Sequence, residues 1–315
     1  MKKIIFLLMI SAGIVSCENE SNDFVDQETS NDLSIQKEKE IFSFDNWEEF
    51  RKSYLKFAKL STEELEGVSF LTSHYDEEME ISYALQGILN KDNQFRLADK
   101  IIWFDQGNFY EFESDEEIAT QKLNIENLKE VGSVSQIPVS LSEDTSLAKT
   151  VPISNQYQFR KQSYIENCGT GITQGPSPRA FKYVHEAFAE LIVSGSPFYQ
   201  VYQYALHLRV KLEYNHRGNS WRLSGEGRDI SINLTNTSFL TNQLGSNLST
   251  GIGATNYRTI RFSNSCASHQ QELLNEVRAP GLIPNSFWNI NVSGTITQKM
   301  FGDTESNRWR DTVNW

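Results

Sequence analysis

The chain has 315 residues, 38% hydrophobic and 12% aromatic, which is enough apolar material for a buried core in one or two domains. Its 29 Lys and Arg against 41 Asp and Glu give a formal charge of −12. No basic cluster is present, which argues against a nucleic-acid partner, because phosphate binding needs grouped cations.

At the start, Lys2 and Lys3 precede an apolar run from Ile4 to Val15. A membrane-spanning helix needs about 20 apolar residues, so this run is too short and reads as a signal peptide over residues 1–16. Losing both lysines with the leader takes the charge to −14. The segment Ile14-Val15-Ser16-Cys17 resembles the bacterial lipobox. That resemblance implies a diacylated Cys17 as the new N-terminus, and the alternative is an ordinary signal peptide with a chance cysteine. Two or more acyl chains hold a protein stably on a bilayer. The lipid bilayer is therefore one expected partner, with the protein at the outer membrane or cell surface and a periplasm-facing placement as the alternative. Residues 17–40 form an acidic tether carrying Glu18, Glu20, Asp23, Asp26 and Glu28. It is similar to the export signal of surface lipoproteins of the Bacteroidota, and by composition alone it is a solvated segment.

Residues 41–129 read as a helix-plus-hairpin N-terminal domain. Trp47, Phe50, Tyr54, Phe57 and Leu60 recur at steps of three and four, with Asp45 as N-cap, which predicts an amphipathic helix. Ser61 and Glu64 have capping-box spacing before a glycine stop at Gly67, and a weaker helix is expected between Glu77 and Leu89. Apolar bursts at Phe95–Leu97 and Ile101–Phe104 then lead through Asp105-Gln106-Gly107-Asn108, a hairpin loop, to Phe109–Phe112. The phrase "LNKDNQFRLADKI" (Leu89 to Ile101) resembles one found in uncharacterised exported lipoproteins of the Bacteroidota, where its turn formers imply a structural role.

Residues 130–158, acidic and serine-rich at first, are expected to be a linker, and 159–315 an antiparallel β-sandwich. The fold class expected is therefore α+β. The clearest strand is "YQVYQYALHLRVKLEYNH". Tyr202, Tyr204, Leu206, Leu208, Val210, Leu212 and Tyr214 fall on one face, and Gln203, His207, Arg209, Lys211 and Glu213 on a face expected to be wet. "FKYVHEAFAELIVSG", "SWRLSG", "DISINL", "YRTIRF" and "FWNINVSGTIT" are further strands.

Reaction chemistry is sparse. The five histidines show no zinc-ligand spacing, so neither metal nor cofactor is expected, and no Gly-x-Ser-x-Gly marks a nucleophilic serine. His207 with Glu213 could join a site, although a satisfied strand histidine is commoner. If Cys17 is acylated, Cys168 and Cys266 remain as a pair in an oxidising compartment. A disulfide is favoured over two separately buried thiols. Trp221, Trp288 and Trp309 in the β-rich half are candidate glycan-stacking rings, the alternative being that they fill the core. Asp311-Thr312-Val313 resembles an O-glycosylation acceptor of exported Bacteroidota proteins. The leading expectation is a non-catalytic binding protein whose partner is a glycan or an envelope protein. The alternative is a carboxylate-dependent hydrolase of an envelope or extracellular polymer.

Overall fold

The structure, a computed structural model, describes residues 37–38, 41–60, 62–70, 79–115, 117–118, 128–141, 152–165, 172–195, 200–216, 220–224, 226–242, 269–278 and 286–315. The leader, Cys17, the Cys168/Cys266 pair and the segment "YRTIRF" lie outside the described residues.

Helix α1 (Trp47–Lys59) follows the expected period and buries Phe50, Tyr54 and Phe57. Its N-cap is Asn46, one residue beyond the expected Asp45. Asn46 Oδ1 accepts from the backbone N–H groups of Glu48 and Glu49 at 2.9 and 3.1 Å, while Asp45 N–H donates to the Glu49 carboxylate at 2.6 Å. Short helices α2 (Thr62–Val68) and α3 (Tyr83–Ile88) follow, the latter capped by Ser82 Oγ, which accepts from Leu85 N–H at 3.3 Å.

Strands β1 to β5 (Lys37–Glu38, Ile41–Phe44, Gln94–Leu97, Lys100–Asp105, Asn108–Phe112) lead into β6 (Lys129–Ile137), β7 (Val139–Ser140), β8 (Ile153–Ile165), β9 (Ile172–Ser194), β10 (Val201–His216) and β11 (Ser220–Leu223). After them come β12 (Arg228–Asn236), β13 (Phe239–Asn242), β14 (His269–Arg278), β15 (Ser286–Asn289), β16 (Val292–Met300) and β17 (Trp309–Asn314). Among the described residues, β1-β2-β3-β4-β5-β6-β9-β10-β11 run in order through an 11-stranded sheet, with β8 also on β9 and β14 also on β10. Two sheets of three strands, β12-β16-β17 and β13-β15-β7, complete the fold. The protein is thus mostly β and sandwich-like, with little helix.

The sandwich core lies between one face of β9 and β10 and the two smaller sheets. Tyr204, Leu206, Leu208 and Val210 pack there with Ile230, Ile232, Leu234, Trp288, Val292 and Ile296. Segment 130–158, expected as a linker, contains most of β6, all of β7 and the start of β8, and β6 pairs with β9 from Gly132↔Ser194 to Ile137↔Ala189. The hairpin strands and the sandwich strands therefore share one sheet. The opposite face of β9 and β10, expected to be wet on β10, is covered where α1 crosses it. Gln203 and His207 are buried there, at 1% and 0% exposure, while Arg209, Lys211 and Glu213 further along stay half-buried. Among the described residues no helix is long and apolar enough to cross a membrane.

Candidate functional site

A groove of about 410 Å³ opens where the β4–β5 turn, β6 and the segment entering α3 meet. Its polar lining is Asn93, Gln106, Ser135, Gln136, Glu80 and Asp105, with Met79, Ile81, Phe104 and Val134 supplying apolar surface. Two of its residues hold uncommon backbone angles. Asn93 has φ of 60° and Gln106 of 44°, two of only three non-glycine residues with positive φ among the described residues. Gly107 follows at 86°, and two successive left-handed residues make the tight turn that matches strand twist. Left-handed non-glycine residues cost roughly 1–3 kcal/mol and persist where the surroundings fix them. Here they are fixed by hydrogen bonds, since the Asn93 carbonyl accepts from Phe104 N–H at 2.8 Å and the Gly107 carbonyl from Val134 N–H at 2.6 Å.

Behind the groove lies a buried polar cluster. In the β6–β9 register Gln136 stands opposite Glu190, so the two side chains share a face. Glu190 is 1% exposed; its Oε2 accepts from the Tyr54 hydroxyl at 2.7 Å and its Oε1 from Ser82 N–H at 2.8 Å. Tyr54 gives its one proton to Glu190, so the 3.2 Å contact with His207 is Nε2–H donating to the tyrosine oxygen. Burial raises the Glu190 carboxyl above its ordinary range, against the hydrogen bonds from Tyr54 and Ser82 that favour its ionised form. Burial, with the nearby Arg209 charge, pushes His207 down to about 3, so the ring is neutral. His207 also stacks on Phe188 at 5.0 Å. It belongs to this cluster rather than to a site with Glu213, which pairs instead with Lys182 at 2.6 Å.

The three tryptophans do not form one surface. Trp288 is fully buried in the sandwich core, so it has no ring face to offer a ligand. Trp309 also points into the sandwich, stacked on the His185 ring at 4.0 Å and 8°. Trp221 is half-exposed on the other face of the large sheet, opposite Asn215, with Lys182 Nζ 4.7 Å from its ring centre. Asp311 is engaged inside the sandwich by His185 and Asn155, so the Asp311-Thr312-Val313 acceptor has a buried first residue. Among the described residues no group of three or more His, Cys, Asp or Glu is placed to hold a metal ion.

The groove residues were missed in the sequence because four separate segments supply them. One signal was available: Glu190 stands inside the apolar run "AFAELIVS", where an acid must be buried and bonded.

No known family profile matches the chain, and no curated protein matches it. A solved structure that does match is a DUF4848 family protein from Bacteroides thetaiotaomicron, 13% identical, with 89% of this chain and 99% of that one aligned at a TM-score of 0.20. A likeness at that level carries neither fold nor function across.

Proposed function

We propose that the protein is a lipid-anchored envelope protein, held on a membrane surface through Cys17, that binds a neutral glycan in the groove beside the β4–β5 turn. The lining carries the reading. Amides and a hydroxyl from Asn93, Gln106, Gln136 and Ser135 both donate and accept, as a polyhydroxylated ligand requires, and Phe104 and Met79 offer apolar surface to a sugar's C–H groups. The charged side chains of the lining are Glu80 and Asp105, both acidic, which disfavours anionic ligands such as uronic or sulfated sugars.

A glycan array probed with the mature chain tests this. A neutral glycan should bind, Gln136→Ala should weaken it about tenfold, the factor one hydrogen bond carries, and Trp221→Ala should leave it unchanged. Binding lost in Trp221→Ala but kept in Gln136→Ala would move the site to the exposed tryptophan and refute the groove. The anchor is tested separately, since Cys17→Ala should shift the protein from membrane to soluble fractions. A second reading has its own observation: Glu80 and Asp105 both border the groove, as a glycosidase carboxylate pair would. Release of reducing sugar that Glu80→Gln and Asp105→Asn each abolish would establish it.

A further inference from the structure

The groove wall at Glu80 and Ile81, with Ser82 next in the chain, is held by four side chains, of which only Gln136 itself lines the groove. The Glu80 carbonyl accepts from Gln136 Nε2 at 3.3 Å. The Ile81 carbonyl accepts long bonds of 3.5 Å from Arg209 Nη2 and Gln86 Nε2. Ser82 N–H donates to Glu190 at 2.8 Å, the shortest of the four. The other oxygen of Glu190 is bound by Tyr54, a fully buried residue of α1 that lies 136 positions away in sequence.

From this geometry we infer that Glu190 is the positioning residue of the groove, and that Tyr54 on α1 sets the 80–82 wall through it. The inference rests on the groove being the binding site, and it adds how that site is shaped. Its physical basis is the two-donor arrangement. One carboxyl oxygen takes the wall and the other takes the helix, so the wall cannot move without lengthening a bond to a fully buried acid. Removing the carboxyl would take this acceptor from two buried donors, the Ser82 N–H and the Tyr54 hydroxyl, so the wall and the helix would lose their common anchor together. Gln136, which lines the groove, stands beside Glu190 in the register.

The test uses the full mature chain and reads amide hydrogen exchange at Ile81 and Ser82 beside the melting temperature. Glu190→Leu should lower the melting temperature, because two buried donors lose this acceptor, and should speed exchange at Ser82 about tenfold or more relative to strand β16, the factor one lost hydrogen bond carries. Glu190→Gln retains an acceptor for Ser82 N–H and should fall between the two, a rescue that a purely structural role would not produce. Tyr54→Phe cuts only the helix side and should also speed exchange at Ser82, so it decides the matter if Glu190→Leu does not fold. Unchanged exchange at Ser82 in the folded variants would overturn the inference. Any glycan found on the array should bind more weakly to each variant in the order of its exchange rate. An empty array would refute the ligand reading and leave the exchange result to decide this one.

Discussion

At the centre of the sandwich His185 uses both ring nitrogens. Nδ1–H donates to Asp311 at 2.8 Å, and Nε2 accepts from the Gln298 amide at 3.0 Å. Gln298 Oε1 in turn accepts from the buried Arg228 at 3.1 Å. Burial outweighs the Asp311 contacts and brings His185 down from 6.5 to about 4. His207 falls from 6.5 to about 3 by burial. Both histidines bind protons more readily in the unfolded chain. Their contribution is therefore complete above pH 6.5 and is lost as the pH falls toward the folded values, each at about 1.4 kcal/mol per pH unit. Glu190 works the other way. Its raised carboxyl contributes stability below the ordinary 4.5, and that is lost as pH climbs through the folded value. Urea midpoints should thus fall from pH 6.5 toward 5, and His185→Gln should remove at least half of that slope, since Glu190 can only offset the two equal histidine contributions. A slope left unchanged by His185→Gln would mean that the His185 ring is charged in the fold.

Single elements were legible where their partners are local. The α1 period, the β4–β5 turn and the alternation in β10 all appear in the sequence because each depends on residues a few positions apart. The cover over β10 did not appear. Polar letters at Gln203 and His207 spell a wet face, and only the distant helix α1, bringing Tyr54, makes it dry. Strand β6 hid for another reason. Val131 is the extra residue of a bulge between the Phe109↔Gly132 and Tyr110↔Glu130 pairs, and further on Val134 and Ile137, three apart in an unbroken ladder, are buried on opposite faces, at the groove and in the sandwich core. A bulge of this kind breaks the period of two on which strand recognition depends. At this scale Gly294 in β16 gives a sharp expectation. It has φ of 139°, and a Cβ there would lie 2.2 Å from the Asn233 carbonyl oxygen of the paired strand β12. Gly294→Ala should cost about 3 kcal/mol or more, from strain plus overpacking, read as a lowered urea midpoint. A variant as stable as the parent would contradict the β12–β16 register.

For the whole molecule the shared sheet has the larger consequence. The β6–β9 ladder joins the hairpin strands to the sandwich, and α1 packs on both. Phe50 stacks on Phe95 of β3 at 4.8 Å, and one helical turn later Tyr54 reaches Glu190 of β9. Denaturation followed by near-ultraviolet circular dichroism and by exchange at β3 and β16 should therefore give coincident transitions. Residues 41–129 expressed alone should show no cooperative unfolding. Two separated transitions would mean that the two regions fold independently despite the ladder.

Strand β9 has a temporal consequence. One of its edges is shared end to end by β6 and β8, both of which precede it in the chain. A chain delivered N-terminus first presents β6, complete at residue 137, and β8, complete at residue 165, before β9 is complete at residue 194. During that interval the backbone donors and acceptors of two nascent strands face any neighbouring chain, the situation in which unpaired edges recruit the wrong partner. The arrival of residue 194 divides a chain with two open strand edges from one in which β6 and β8 can both pair with β9.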